Sequence, residues 1–230
     1  MARLPRLCVP GLPHLLVQLG HNQQPVFLDD IDRSLFLEWL QASALSCGVS
    51  VHAYSLRDSE VRLIATPSAA DGLSHMMQAL GRRYGSHFNR RHGRTGSLWE
   101  GRFRATVIEP ERHLLACIRY VEQLPLSPDV GTGLGQLTWS SEAHHLGTKI
   151  DSLVSDHLVY WSLGNTPFER EARYRKISQQ ALTSVEVIAI SNAVRKGWPL
   201  GSPEFLANLS AKTQRRLTPL SRGRPRKIAA

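Results

Sequence analysis

The stretch Gly93–Gln123, GRTGSLWEGRFRATVIEPERHLLACIRYVEQ, places an arginine-rich turn, a short apolar run and an amphipathic segment in succession. Gly93 and Gly96 mark turns, and Phe103 to Ile108 reads as a strand. Pro110 opens a helix at a position where a missing N–H costs nothing. On a helix beginning near Glu111, with about 100° per residue, Leu114, Ile118 and Val121 form one narrow stripe, flanked by Leu115 and Cys117. Tyr120 projects away from that stripe, beside Ala116 and toward Gln123, which predicts a surface tyrosine or one presented to a ligand.

Upstream, the elements alternate. Leu12 to Gly20 is an apolar, β-like run bounded by Pro13 and Gly20. From Asp29 to Cys47, Ile31, Leu35, Leu37, Leu40, Ala44 and Leu45 recur at helical spacing, with acidic residues at the start and Gly48 at the stop. Val49 to Tyr54, with Val49, Val51 and Ala53 alternating against Ser50, His52 and Tyr54, and Val61 to Thr66 read as two strands of a hairpin. A second helix runs from about Asp71 to His87, with Leu73, Met76, Met77, Leu80 and Tyr84 inward. The order β, α, β-β, α, β, α predicts an α+β fold, a ferredoxin-like sandwich with helices on one face of an antiparallel sheet.

After Pro125 the run PLSPDVGTGLGQ is dense in proline and glycine and reads as a boundary or long loop. Two further helices are expected, roughly Pro167 to Leu182 and Ser184 to Arg195. The expected organisation is a main domain over 1–145, a helical region over 146–212 and a basic flexible tail over 213–230. The N-terminal segment MARLPRLCVPGLPH has no long apolar core, and no later run approaches the roughly 18 apolar residues of a spanning helix. Cys8, Cys47 and Cys117 are odd in number and widely spaced, so they suggest neither a disulfide framework nor a zinc cluster. These features predict a soluble, cytoplasmic protein with no membrane partner.

A formal charge of +9 at pH 7 and a pI near 10.0 point to a polyanionic partner, although ribosomal or membrane-surface binding fits the charge equally well. The distribution is more informative. Arg82, Arg83, Arg90, Arg91, Arg94, Arg102 and Arg104 lie in one block with a single acid, Glu100, and Tyr84, Phe88, Trp99 and Phe103 are interleaved. Guanidinium groups bind phosphate bidentately and stack on bases, and aromatic rings accept unpaired bases. The alternative is a solvated charged face with the aromatic residues in the core. At the C-terminus, Arg222-Gly223-Arg224-Pro225-Arg226-Lys227 looks like an AT-hook, whose arginines lie along a narrow A·T-rich minor groove.

Several blocks, taken in order, resemble the REP-associated tyrosine transposases, a bacterial branch of the insertion-sequence-200-like single-tyrosine HUH transposases. They are Leu4-Pro5-Arg6, Val9-Pro10-Gly11-Leu12-Pro13-His14 and Gln24-Pro25-Val26-Phe27, then Phe88-Asn89-Arg90-Arg91 and Gly93-Arg94-Thr95-Gly96 with Leu98-Trp99-Glu100-Gly101-Arg102-Phe103. Glu111-Arg112 and Leu114-Leu115-Ala116-Cys117 follow, leading into Arg119-Tyr120-Val121-Glu122, and Trp139-Ser140-Ser141 and Arg222 to Lys227 also fit. The resemblance implies a domain that binds hairpin or single-stranded DNA as a monomer or homodimer. It also implies cleavage and joining of that DNA through a 5′-phosphotyrosine on Tyr120, with a divalent metal, Mg²⁺ or Mn²⁺, held by two histidines spaced i, i+2 on a central strand.

At the corresponding place this chain has Ser59-Glu60-Val61-Arg62 after Arg57-Asp58. Glu60 can ligate a metal through oxygen, whereas Arg62 has no acceptor and adds a permanent positive charge on the same strand face. Arg62 is therefore expected either to bind phosphate in place of the metal or to pair with Glu60. The family's asparagine four residues after the tyrosine is Leu124 here, and Leu15 and Leu19 replace a histidine and an arginine. Two functions follow from the resemblance: a DNA-cleaving transposase, or a catalytically inactive DNA-binding protein, a regulator or domesticated transposase.

Overall fold

Four apolar runs pair into one antiparallel sheet in the computed structural model, which describes residues 6–123 and 139–218. The strands are β1 (His14–Leu19), β2 (Val49–Arg57), β3 (Glu60–Pro67) and β4 (Arg104–Val107), arranged β2-β3-β1-β4. Helix α1 (Asp30–Ser46) joins β1 to β2, and α2 (Gly72–Arg91) joins β3 to β4. The expected α+β, ferredoxin-like arrangement is present. Asp29 caps α1 by accepting from the Asp32 amide, and Gly48, at φ 60°, turns the chain into β2 where a side chain would be strained.

Strand periodicity divides the core. Leu16, Leu56, Val61, Leu63 and Ala65 pack with Phe36, Trp39 and Leu40 of α1 and Leu73, Met76, Leu80 and Tyr84 of α2. Leu15, Val17, Ala53 and Ile64 face the other way. The expected alternation within β2 is broken by a register shift between Val51 and Ala53, so Tyr54 joins Val51 in the first cluster while Ala53 joins the second.

Helices α1 and α2 cover one face of the sheet, and the second face is covered as well. It is buried under α3 (Pro110–Gln123), and α5 (Leu158–Trp161), α6 (Pro167–Ser178) and α7 (Ser184–Lys196) contribute Tyr160, Tyr174, Ile190, Ala193 and Val194 to the same cluster. The physical reason is the sheet itself: Leu15, Val17, Ala53 and Ile64 put an apolar patch on its second face, beside the charged Glu60 and Arg62, and that patch needs a cover. The apolar residues of the 146–212 region are thus shared with the sheet. The structure adds three α-helices that periodicity left unread, the single-turn α4 (Glu142–His145) and α5 and the longer α8 (Pro203–Ala211). Helix α2 also runs four residues beyond its expected end, which puts Arg90 and Arg91 on the helix.

Both sheet edges are covered. Trp139 accepts a backbone bond from Leu56, Ser155 donates to Val51, and Leu200 donates to Val107. These contacts occupy edge groups that would otherwise be open to pairing with another chain. Among the described residues no helix is long and apolar enough to cross a membrane. Leu124, the proline- and glycine-rich run and the tail residues Arg222, Arg224, Arg226 and Lys227 lie outside the described residues.

Two buried histidines set a pH dependence. His14 donates from Nδ1 to the Leu12 carbonyl and accepts the Val9 amide at Nε2. His52 bonds the Ser155 carbonyl through Nδ1 and the Thr66 hydroxyl through Nε2. Burial pushes each imidazole down to about 4. Below the unfolded value near 6.5 the unfolded chain binds the protons first, so these residues remove stability as pH falls from about 6.5 to about 4. Thermal melts across that range should show a falling midpoint, and His52→Gln should flatten the slope. An unchanged slope would remove His52 from this role.

Candidate nucleic-acid interface and tyrosine site

Because side chains alternate along β3, Glu60, Arg62 and Ile64 share the face covered by α3. Arg62 Nε donates to Glu60 Oε1 at 2.8 Å and Nη2 to Oε2 at 3.1 Å, a bidentate pair between side chains only 10% and 15% exposed. The same guanidinium donates through Nη1 to the Tyr120 carbonyl at 3.3 Å and lies 4.7 Å from the centroid of the Tyr120 ring. Of the two expected roles for Arg62, pairing with Glu60 is the one observed.

Tyr120 is 5% exposed, which corrects the outward position inferred from helix phase. A single apolar stripe would leave it in solvent, but α3 is packed on more than one side. Its neighbours include β2, β3, α5 and α7, and Arg119 donates to the Gln180 carbonyl. Tyr120 and Arg62 therefore enclose one another between helix and sheet.

Arg57 stands on the same face and is 2% exposed. Burial first, and then the neighbouring Arg62, push its guanidinium down to about 10, against the opposing pull of Glu60 and Tyr120. The register aligns Arg104, Val17, Arg62 and Ser55 in one row across the four strands. Arg104 and Arg62 lie two strands apart, roughly 10 Å, on the Tyr120 side. Positive charge, not carboxylate or imidazole, dominates this face.

That donor set does not fit a divalent cation. Both Glu60 oxygens are taken by Arg62, and the residue beside it offers only N–H donors and a fixed positive charge. Among the described residues no three of His, Cys, Asp and Glu converge on a point that could hold a metal ion.

Further along α3, Glu122 is fully buried. Its Oε1 accepts from the Ser141 hydroxyl and from His145 Nδ1 at 2.6 Å, and Oε2 accepts from the Tyr174 hydroxyl. Tyr160 donates to the His145 carbonyl at 2.8 Å. Burial alone would lower the His145 pKa, but Glu122, by charge and hydrogen bond, and Asp156 reverse it, so the net direction is upward. This network clamps α3 to α4, α5 and α6.

The arginine block divides by partner. Arg91 is held by Asp29 and Asp32, and the hydrogen bond from Arg91 holds the Asp29 carboxyl well below the usual range. Arg83 stacks on Trp39 with its Cζ 4.3 Å from the ring centroid, Arg94 donates to Gln24 Oε1 at 3.0 Å, and Arg104 reaches Glu100 at 3.4 Å. Arg82, Arg90 and Arg102 are exposed and have no carboxylate partner among the described residues. Of the interleaved aromatics, Tyr84, Phe88 and Phe103 are buried in the core, and only Trp99 is partly exposed.

No protein-family pattern and no curated protein matches the sequence. Among solved structures, that of a REP-associated tyrosine transposase bound to a REP hairpin is similar, with a TM-score of 0.53 and 12% identity over 69% of this chain and 93% of that one. The chain has the fold of that transposase. A candidate transposase from Deinococcus radiodurans R1 is 22% identical over 51% of this chain and 94% of its own, with a TM-score of 0.37. Within this fold, sequence reasoning located Tyr120, Glu60 and Arg62 but missed Arg57 and the Glu122–His145 pair. Arg57 was legible as the continuation of the β2 alternation through Ala53 and Ser55. Glu122 carried no such signal, since an acid on a helix is ordinarily solvated.

Removing one member of the buried pair should be costly. Arg62→Met is expected to lower unfolding free energy by about 3 kcal/mol in urea denaturation, because the Glu60 carboxylate is left without its partner. Glu60→Gln combined with Arg62→Met should cost distinctly less than the sum of the single changes. Additive losses would show that the two side chains are not coupled.

Proposed function

We propose that the protein binds hairpin or single-stranded DNA through the arginine surface of α2 and residues 93–104, without metal-assisted cleavage by Tyr120. The observation that carries this reading is the Arg62 guanidinium, bonded to both Glu60 oxygens and laid over the Tyr120 ring. It puts a fixed cation where a metal ligand would be needed, and it leaves the phosphate-binding arginines untouched.

Support for DNA as the partner comes from three directions. The net charge of +9 favours a polyanion, Arg82, Arg90 and Arg102 are exposed without carboxylate partners among the described residues, and the structurally similar transposase is bound to a REP hairpin. On this reading Arg83, Arg94 and Arg104 add contacts at its margins, and Arg91 serves chiefly to fix the end of α2. The tail residues Arg222, Arg224, Arg226 and Lys227 add grip on A·T-rich duplex. A second reading keeps the enzyme: the charge of Arg62 beside Tyr120 would stand in for a metal during attack on phosphate.

Filter binding to a labelled hairpin should give an affinity that falls linearly with salt on logarithmic axes. Replacing Arg82, Arg90 and Arg102 by Gln should weaken binding and reduce the slope by about one for each phosphate left without its guanidinium. Tyr120→Phe should bind as the wild type does. With Mg²⁺ or Mn²⁺ and single-stranded hairpin DNA, denaturing gels should show no covalent adduct. A Tyr120-dependent adduct would establish the second reading, and failure to bind any hairpin or single strand would overturn both.

A further inference from the structure

A cleft of about 400 Å³ opens on the sheet face opposite Tyr120, between α2 and the segment Ser97–Phe103. Its walls include Arg6, Arg82 and Arg102, and none of the lining residues is acidic. Arg82 and Arg102 are exposed and unpaired among the described residues, whereas Arg6 is already placed, with its Cζ 3.8 Å from the Phe103 ring centroid and Nε donating to the Phe103 carbonyl at 3.1 Å. Three guanidiniums around one opening, with no carboxylate, set up a field that favours an anion.

The remainder of the lining is not that of a simple anion site. Trp99 and Phe103 supply aromatic surface, and Trp99 is anchored by its Nε1–H to the Gly81 carbonyl at 3.3 Å. Gly101, at φ 63°, meets nothing where a Cβ would stand, so the backbone there leaves room at the rim. Gln18 reaches the cleft from β1 although it is only 7% exposed. Its Nε2 makes long bonds to the Leu19 and Gly101 carbonyls, at 3.5 and 3.4 Å, and its Oε1 has no hydrogen bond among the described residues. An amide with spare acceptor capacity, beside an indole and below free guanidiniums, matches a planar heterocycle that carries a phosphate.

We propose that this cleft takes one unpaired deoxynucleotide, its phosphate between Arg82 and Arg102, its base against Trp99 and within reach of the Gln18 amide. The proposal rests on the DNA-binding reading for its biological source, an unpaired position in a bound strand, while the chemistry is that of any nucleoside monophosphate. The cleft and Tyr120 lie on opposite faces of the sheet, so the site is a recognition pocket separate from the tyrosine.

Calorimetric titration of the full chain with each deoxynucleoside monophosphate and with inorganic phosphate tests the cleft. A second arm uses a hairpin with a single-stranded flank in which each unpaired base is replaced in turn by an abasic residue. The monophosphates should bind about tenfold tighter than phosphate, the margin that base stacking supplies, and the paired change Arg82→Gln and Arg102→Gln should lose that binding. One abasic position should weaken flanked-hairpin binding by a similar factor, and that penalty should vanish in the paired variant. Monophosphates binding no tighter than phosphate, or a penalty unaffected by the paired variant, would overturn the proposal. Monophosphate binding without any hairpin binding would instead overturn the DNA reading and leave the cleft as a free-nucleotide site.

Discussion

A guanidinium pressed between a carboxylate and a tyrosine ring governs the middle of this molecule. Glu60 and Arg62 project from one face of β3, and a carboxylate or a guanidinium placed there alone would lose its hydration without replacement. The bidentate bond removes that difficulty, and the Tyr120 ring and carbonyl take up the remaining side of the cation. The same arrangement fixes the electrostatics. With Arg57 alongside and Arg104 two strands away, the surface that meets α3 carries an excess of fixed positive charge and does not suit a divalent cation.

Keeping Tyr120 under that guanidinium requires α3 to sit firmly on the sheet, and the C-terminal half does this. Glu122 accepts from Ser141 and His145, at the two ends of α4, and from Tyr174 of α6, so a single buried carboxylate holds both helices to α3. Such a network is stabilising only when every member is satisfied, and here both Glu122 oxygens are. On the opposite face the arginines are sorted by a different pair of acids. Asp29 and Asp32 bind Arg91 and His92, which ends α2 in a defined position and leaves Arg82, Arg90 and Arg102 facing outward.

Much of the fold was legible because strand and helix periods are local. The alternation in β1 and β3, the spacing of Leu73, Met76, Leu80 and Tyr84, and the turn at Gly48 each announce an element within a few residues. Tyr120 was misplaced because helix phase identifies the most apolar stripe, not the number of partners around a helix, and α5 and α7 lie far along the chain from it. The β2 register shift was equally hidden, since Val51, Ala53 and Tyr54 alternate acceptably in sequence. The identity of Glu60 and Arg62 was plain from the chain, but only their geometry distinguishes a mutual pair from a phosphate clamp. Gln18 and Arg6 gave no sign of a shared cleft, because Gln18 reads as a strand residue and Arg6 as one basic residue among many.

Binding of Mn²⁺, followed by the loss of its free-ion electron paramagnetic resonance signal, bears most directly on the replacement of a metal ligand by Arg62. The wild-type protein should leave the free-ion signal undiminished at equimolar metal, and the combined change Glu60→His and Arg62→His should deplete it by creating two imidazole ligands on one strand face. Stoichiometric Mn²⁺ uptake by the wild type, abolished by Glu60→Gln, would contradict the account.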